Sequence, residues 1–306
     1  MNISKKALMS FLMALTSLIA MAQPYYHVMK RDGNKLIEEV AMYDAKNYKI
    51  KVDMNKPRPK DAIGGEITIE GYNCDYSPLK RSFYFTKHGN VYYNNSEGKF
   101  YFEKSQLDYP TGKYSKDHCG HFYWGKTIEG CIDLYYKELN TNATETDFYF
   151  ANPANLPKLK EDLGNEEWAV LSACEWRYIN NKFGEYGWEV DGEPCLLIDT
   201  TPGKSLLRAI ESINGGKTMS KEEFDYYETQ GLVCLPASGY RDVTGFPGRG
   251  YSGYYTSCTP SDIFRLNNGD PVGLHFMWFT PKHADGAAVG AYRDTGMAVR
   301  LVVLAD

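Results

Sequence analysis

The chain reads as an α+β protein. Three observations carry that expectation: strand-like runs occupy its first and last parts, capped helix starts fall between them, and aromatic residues are abundant. The aromatic share is 14%, from 25 Tyr, 14 Phe and 5 Trp, which favours β-structure and amphipathic surfaces. At 43% hydrophobic and 24% charged, the 306 residues are ordinary for a globular protein, which excludes coiled coil, collagen and disorder. That length suits one large domain or two ordinary ones.

Residues 1–22 read as a signal peptide. Lys5 and Lys6 precede an apolar run from Ala7 to Met21, and Ala20-Met21-Ala22 supplies a small-residue cleavage signal. The run is short for a membrane span, and no later stretch reaches the roughly 18 apolar residues that one needs. Cleavage takes two lysines from a net charge of −5 and leaves −7, which argues against nucleic acid as a partner. No cysteine stands at the cleavage point to carry a lipoprotein anchor. The expectation is an exported protein, whether periplasmic, cell-surface or secreted, with no transmembrane span.

A small β-rich unit is expected over 23–55. Tyr25–Met29 and Leu36–Met42 flank the hairpin signal Asp32-Gly33-Asn34, and Tyr48–Val52 extends the unit. Stiff, polar Asn55-Lys56-Pro57-Arg58-Pro59-Lys60 then reads as a linker over 56–65, ending near Gly64-Gly65. The main domain is expected over 66–306. It opens with short strands at Glu66–Glu70, Ser82–Thr86, Asn90–Tyr93, Lys99–Phe102 and Gly120–Trp124. Ser172 with Glu175, and Ser220 with Glu223, form capping boxes at two helix starts. Thr201-Pro202 starts a third helix, Ser205–Ile213, which Asn214-Gly215-Gly216 closes. Strands return at Leu232–Leu235, Gly253–Thr256, Val272–Phe279 and Ala298–Leu304.

Four segments, in order, resemble FISUMP-type domains (Fibrobacter succinogenes major paralogous domains) of exported Bacteroidetes proteins. They are Trp168-Ala169-Val170-Leu171-Ser172-Ala173-Cys174-Glu175-Trp176-Arg177-Tyr178, the run from Gln230 to Arg241 around Leu235-Pro236-Ala237-Ser238-Gly239-Tyr240, Gly253-Tyr254-Tyr255-Thr256-Ser257-Cys258-Thr259, and Val299-Arg300-Leu301-Val302. The resemblance covers roughly 80–306 and implies a C-type-lectin-like fold of the formylglycine-generating-enzyme type. The N-terminal hairpin is similar to a leader unit that often precedes such domains. Two departures narrow the function. The chain has no "RGGSW" stretch or reactive cysteine pair, and Glu193-Pro194 leads to Cys195 with no "WND". Sulfatase activation and calcium–sugar binding are therefore not expected.

Other patterns have plainer readings. Gly203-Lys204-Ser205 lacks the earlier glycine of a phosphate loop, since Ile198 stands in its place. Gly248-Arg249-Gly250-Tyr251-Ser252-Gly253 matches a dinucleotide fingerprint, but strand-like residues follow where a helix is required. Asp117-His118-Cys119-Gly120-His121, with Cys131, is the densest group of candidate metal ligands, yet strand alternation splits neighbours across two faces. Glu166, Glu167, Asp199 and Asp285 are candidates for paired-carboxylate chemistry, which a separation in space decides. The seven cysteines (74, 119, 131, 174, 195, 234 and 258) are odd in number and irregular in spacing, with Cys119 and Cys131 the plausible pair. No catalytic residue, metal or cofactor is expected.

The C-terminal region carries the binding expectation. Leu274, Phe276 and Trp278 share one strand face, and His275, Met277 and Phe279 the other; at least one set must be core. A long loop from Thr280 to Tyr292 is expected next, with Lys282, His283 and Asp285 in it and Arg293 at its end. The resemblance implies that this end of the fold faces ligand. The candidate ligand-binding residues are Trp278, Tyr292 and Arg293, because aromatics and Arg dominate binding hot spots. The leading reading is a non-enzymatic exported recognition module for a glycan or protein. Its alternatives are an enzyme, either a glycan hydrolase or a degenerate relative of the formylglycine-generating type, and a structural subunit of a surface assembly.

Overall fold

The computed structural model describes residues 27–32, 35–41, 48–73, 77–109, 118–132, 147–242, 244–265, 271–292 and 295–305. Within 27–41, 261–265, 271–273 and 287–292 it describes the backbone. The expected signal peptide, Cys74, Asp117 and Arg293 lie outside the described residues. The chain divides into two units, Met1–Tyr48 and Lys49–Asp306. In the first, β1 (His27–Asp32) and β2 (Lys35–Ala41) pair antiparallel, as the Asp-Gly-Asn signal predicts.

The second unit is α+β. Its elements run β3 (Lys49–Asp53), β4 (Ala62–Tyr72), β5 (Pro78–Thr86), β6 (Val91–Asn94), β7 (Lys99–Phe102), β8 (His118–Cys119) and α1 (Ile128–Ile132). Then come α2 (Leu156–Leu163), β9 (Trp168–Val170), α3 (Ala173–Phe183), β10 (Gly184–Val190), β11 (Glu193–Asp199), α4 (Ser205–Asn214) and β12 (Thr218–Met219). It closes with α5 (Lys221–Glu228), β13 (Leu232–Pro236), β14 (Gly253–Arg265), β15 (Pro271–Thr280), β16 (His283–Tyr292) and β17 (Leu301–Leu304). The sheets are β3-β4-β5-β17-β9, β12-β10-β11-β13, β14-β15-β16 and β7-β6-β8.

Three expectations change. Strand 49–53 pairs with β4 rather than extending the hairpin, placing Ile50 opposite Ile69 and Val52 opposite Ile67. These cross-strand apolar pairs draw the segment into the larger sheet. The stretch read as a linker is therefore a connection inside one sheet, and Gly64-Gly65 is part of β4 where its register shifts. A side chain on Gly65 would stand 2.6 Å from Val52 Cγ1, and Gly64 has φ +67°, so that crossing requires glycine. Residues 120–124 make one bridge, Phe122 to Met297, instead of a strand. The region from 283 to 292, expected as loop, is β16, antiparallel to β15 across a tight turn at Pro281-Lys282.

The helix starts form as read. Ser172 Oγ accepts from Glu175 N–H at 3.2 Å while Ser172 N–H donates to the Glu175 carboxylate at 2.7 Å. Ser220 and Glu223 repeat this at 3.1 and 2.7 Å. Thr201 Oγ1 accepts from Ser205 N–H at 3.1 Å, and buried Asp199 accepts from Leu207 N–H at 3.0 Å, together capping α4. Glu175 also meets the Arg81 guanidinium at 3.1 Å in the interior. Ser172→Ala should cost about 1–2 kcal/mol, because it orphans a buried N–H; an unchanged urea midpoint would refute that role.

Candidate functional site

Where its side chains are described, β15 of the C-terminal sheet has buried residues on both faces. Leu274 and Phe276 are buried in the larger aromatic core, while Met277 and Phe279 are buried on the opposite face. On that second side α3 packs across β15 and β16, with the Trp176 indole N–H donating to Thr256 O at 3.2 Å. Close approach is obligatory there. A side chain on Gly286 would overlap the Arg177 backbone and stand 2.6 Å from the Trp176 carbonyl carbon.

The first face opens at Trp278, which is half-buried. Register places Tyr254 of β14 on one side of it and Asp285 of β16 on the other. A register shift between Phe276 and Trp278 sets that alignment, a bulge that re-aims the end of the strand. Tyr254 lies 5.6 Å from Phe276, nearly parallel, and 4.9 Å edge-on from Tyr240. The exposed His283 ring is 5.4 Å from the Trp278 ring. The indole nitrogen is buried, facing the Tyr254 hydroxyl, whose own pKa is raised by burial. The result is a rim of half-buried rings with a carboxylate on the adjoining strand.

The expected site residues thus fall differently. Trp278 is at the centre of this rim. Tyr292 ends β16, where the backbone alone is described, and Arg293 is outside the described residues. Tyr240 and Tyr254 were not singled out from sequence. Their adjacency depends on strand register, and the tyrosines in Gly253-Tyr254-Tyr255 alternate between rim and core: Tyr255 is fully buried.

The other candidates resolve into structure. His121 is buried, with Nε2 3.1 Å from Ser238 O, so that nitrogen carries the proton. Cys119 donates to His121 O and Cys131 to Gly125 O, each at 3.1 Å, and both are free thiols rather than a disulfide. Burial pushes them up, to about 11 and about 12, so both stay protonated thiols rather than nucleophilic thiolates at neutral pH. Among the described residues no group of three or more His, Cys, Asp or Glu converges to hold a metal. Lys204 donates to Gly184 O at 2.8 Å and faces Glu185, so the phosphate-loop likeness is a helix entry. The glycine-rich loop folds over Gly239 and runs into β14, with the Arg249 guanidinium 5.0 Å from the Tyr109 ring. The candidate carboxylates are dispersed: Asp199 caps α4, Glu167 pairs with Lys160, and Asp285 lies on β16.

Burial holds His121 at about 4, below the ordinary 6.5, with Arg241 and Arg249 adding to the effect. Between those values the unfolded chain is protonated at this site and the folded chain is not. Stability is therefore full above pH 6.5 and falls as pH drops toward 4, at close to 1.4 kcal/mol per unit. His121→Asn should flatten the urea-midpoint profile in that window; an identical slope in the variant would assign it elsewhere.

No helix among the described residues is long and apolar enough to cross a membrane. Comparisons with protein families, with curated proteins and with solved structures return no match.

Proposed function

We propose that the protein is an exported, non-enzymatic recognition module of C-type-lectin-like fold that binds a glycan at the Tyr254–Trp278–Asp285 rim. The observation that carries this reading is the cross-strand alignment of a half-buried indole with a tyrosine on one side and a carboxylate on the other. A pyranose presents a C–H face that packs on an aromatic ring, and hydroxyls at its edge that donate to a carboxylate. Trp and Tyr are suited to such a surface because each has an apolar body and a polar tip. The order of strands, helices and strands supports the fold reading, and the leader sequence supports export. Tyr292 pairs with Gly273, at the other end of the β15–β16 pair from Trp278 and Asp285, and is not part of this rim.

A glycan array with the purified protein tests this. Trp278→Ala should weaken a specific hit by at least tenfold, a loss of about 1.4 kcal/mol, and Asp285→Asn should weaken it to a lesser degree. Chelation of calcium should leave binding unchanged. A hit retained in Trp278→Ala and in Asp285→Asn would remove this rim from consideration, and protein hits alone would replace the glycan with a protein partner.

A further inference from the structure

The interior of the larger unit holds a cation with no carboxylate against it. Arg300, just before β17, is 1% exposed. Its Nη2 donates to Thr86 O at 3.1 Å and to Gln106 Oε1 at 2.5 Å. Glu228 makes no direct bond to it: Gln106 stands between, its Nε2 donating to Glu228 at 2.8 Å, and the two charges act on each other across that side chain. Among the described residues, Arg300 Nε and Nη1 have no hydrogen-bond partner.

Asn90, fully buried, is in the same position, with neither amide atom paired. The two residues are neighbours, because Val91 N–H donates to Val299 O at 3.0 Å and they flank that bond. The Tyr255 hydroxyl lies beside them but donates to Pro236 O at 2.8 Å. Burial lowers the Arg300 pKa only to about 10, so the guanidinium is charged at neutral pH.

This cluster is rich in donors. Arg300 Nε, Arg300 Nη1 and Asn90 Nδ2 carry five N–H bonds between them, against two oxygens, Asn90 Oδ1 and the Tyr255 hydroxyl, that can accept. A buried unpaired charge costs several kcal/mol, and unmet buried donors add to that. Water brings as many donors as acceptors and no charge. A small anion accepts only, and neutralises the guanidinium. We propose that Arg300 and Asn90 hold a monovalent inorganic anion of the halide class as an internal structural ligand.

Bromide is the probe. Crystals of the full chain grown in sodium bromide should show an anomalous peak within hydrogen-bond reach of Arg300 Nη1 and Asn90 Nδ2. In solution, Tm should rise by several degrees in sodium chloride or bromide relative to sodium gluconate at equal ionic strength, gluconate being too bulky to enter. Arg300→Met should abolish that difference, and Asn90→Leu should reduce it, which provides a second variant if the first does not fold. An anion-specific shift that persists in the variants is a surface salt effect and counts against the site. Equal Tm in all three salts, with no bromide peak, would overturn the proposal in favour of internal water.

Discussion

Gln106→Ala is expected to lower unfolding free energy by roughly 4 kcal/mol. The side chain is fully buried and joins three groups that are distant in sequence. Its oxygen accepts from the Arg300 guanidinium at 2.5 Å and from Cys234 N–H at 3.0 Å, and its nitrogen donates to Glu228 at 2.8 Å. Truncation leaves Arg300 with Thr86 O as its remaining protein acceptor, orphans a backbone N–H in β13 and removes a donor from a carboxylate whose pKa is raised by burial. Each orphaned group costs about 1–3 kcal/mol, and the vacated volume adds to that. Adding Arg300→Met should recover part of the loss, since the unpaired charge goes with it. Urea unfolding of both singles and the double completes the cycle. A loss below about 1 kcal/mol for Gln106→Ala would show that water reaches this buried cluster and replaces the lost bonds.

Gly286→Ala is expected to cost about 3 kcal/mol by a steric route. The added methyl would overlap helix backbone at Arg177 and lie 2.6 Å from the Trp176 carbonyl carbon. Backbone inside a helix cannot swing aside as a long side chain can, so β16 must lift off α3. For a unit of this size that corresponds to a fall in Tm of roughly 6–12 °C. Asp285 is the preceding residue, so affinity at the proposed glycan rim should fall in parallel. Gly216→Ala is the control, because no atom lies within 4 Å of the added carbon. A Tm within about 1 °C of the parent for Gly286→Ala would mean that the strand and helix slide freely.

Local signals carried much of the fold. Both capping boxes form reciprocal bonds because Ser and Glu three residues apart need only one helical turn to meet. A hairpin signal that was not singled out stands at Asp191-Gly192, which with φ of +51° and +79° join β10 to β11 as an Asp-Gly pair does. What sequence did not reveal was pairing at a distance. Strand 49–53 sits beside a hairpin in sequence, yet its partner is β4 beyond a proline-rich connection. The residues from Thr280 on read as loop because Gly286 and the alanines of β16 lack the branched side chains of a typical strand, although small residues are what a strand lying directly on a helix needs. The rim proposed as a binding site was half legible. Trp278 stood out by type, but its flanking Tyr254 and Asp285 are set by register and a bulge, which no spacing encodes.

The position of β17 bears on how the protein is made. It lies between β5 and β9, pairing Val303 with both Tyr84 and Trp168. While a ribosome is still adding those residues, β5 and β9 wait with unfilled ladders and exposed aromatic faces. Their union depends on contacts between segments far apart in the chain, which makes collapse to the native sheet slow and the waiting intermediate prone to self-association. Synthesis arrested shortly before residue 301 should therefore yield a chain with well-formed helices and no closed central sheet, a natural client for a holding chaperone.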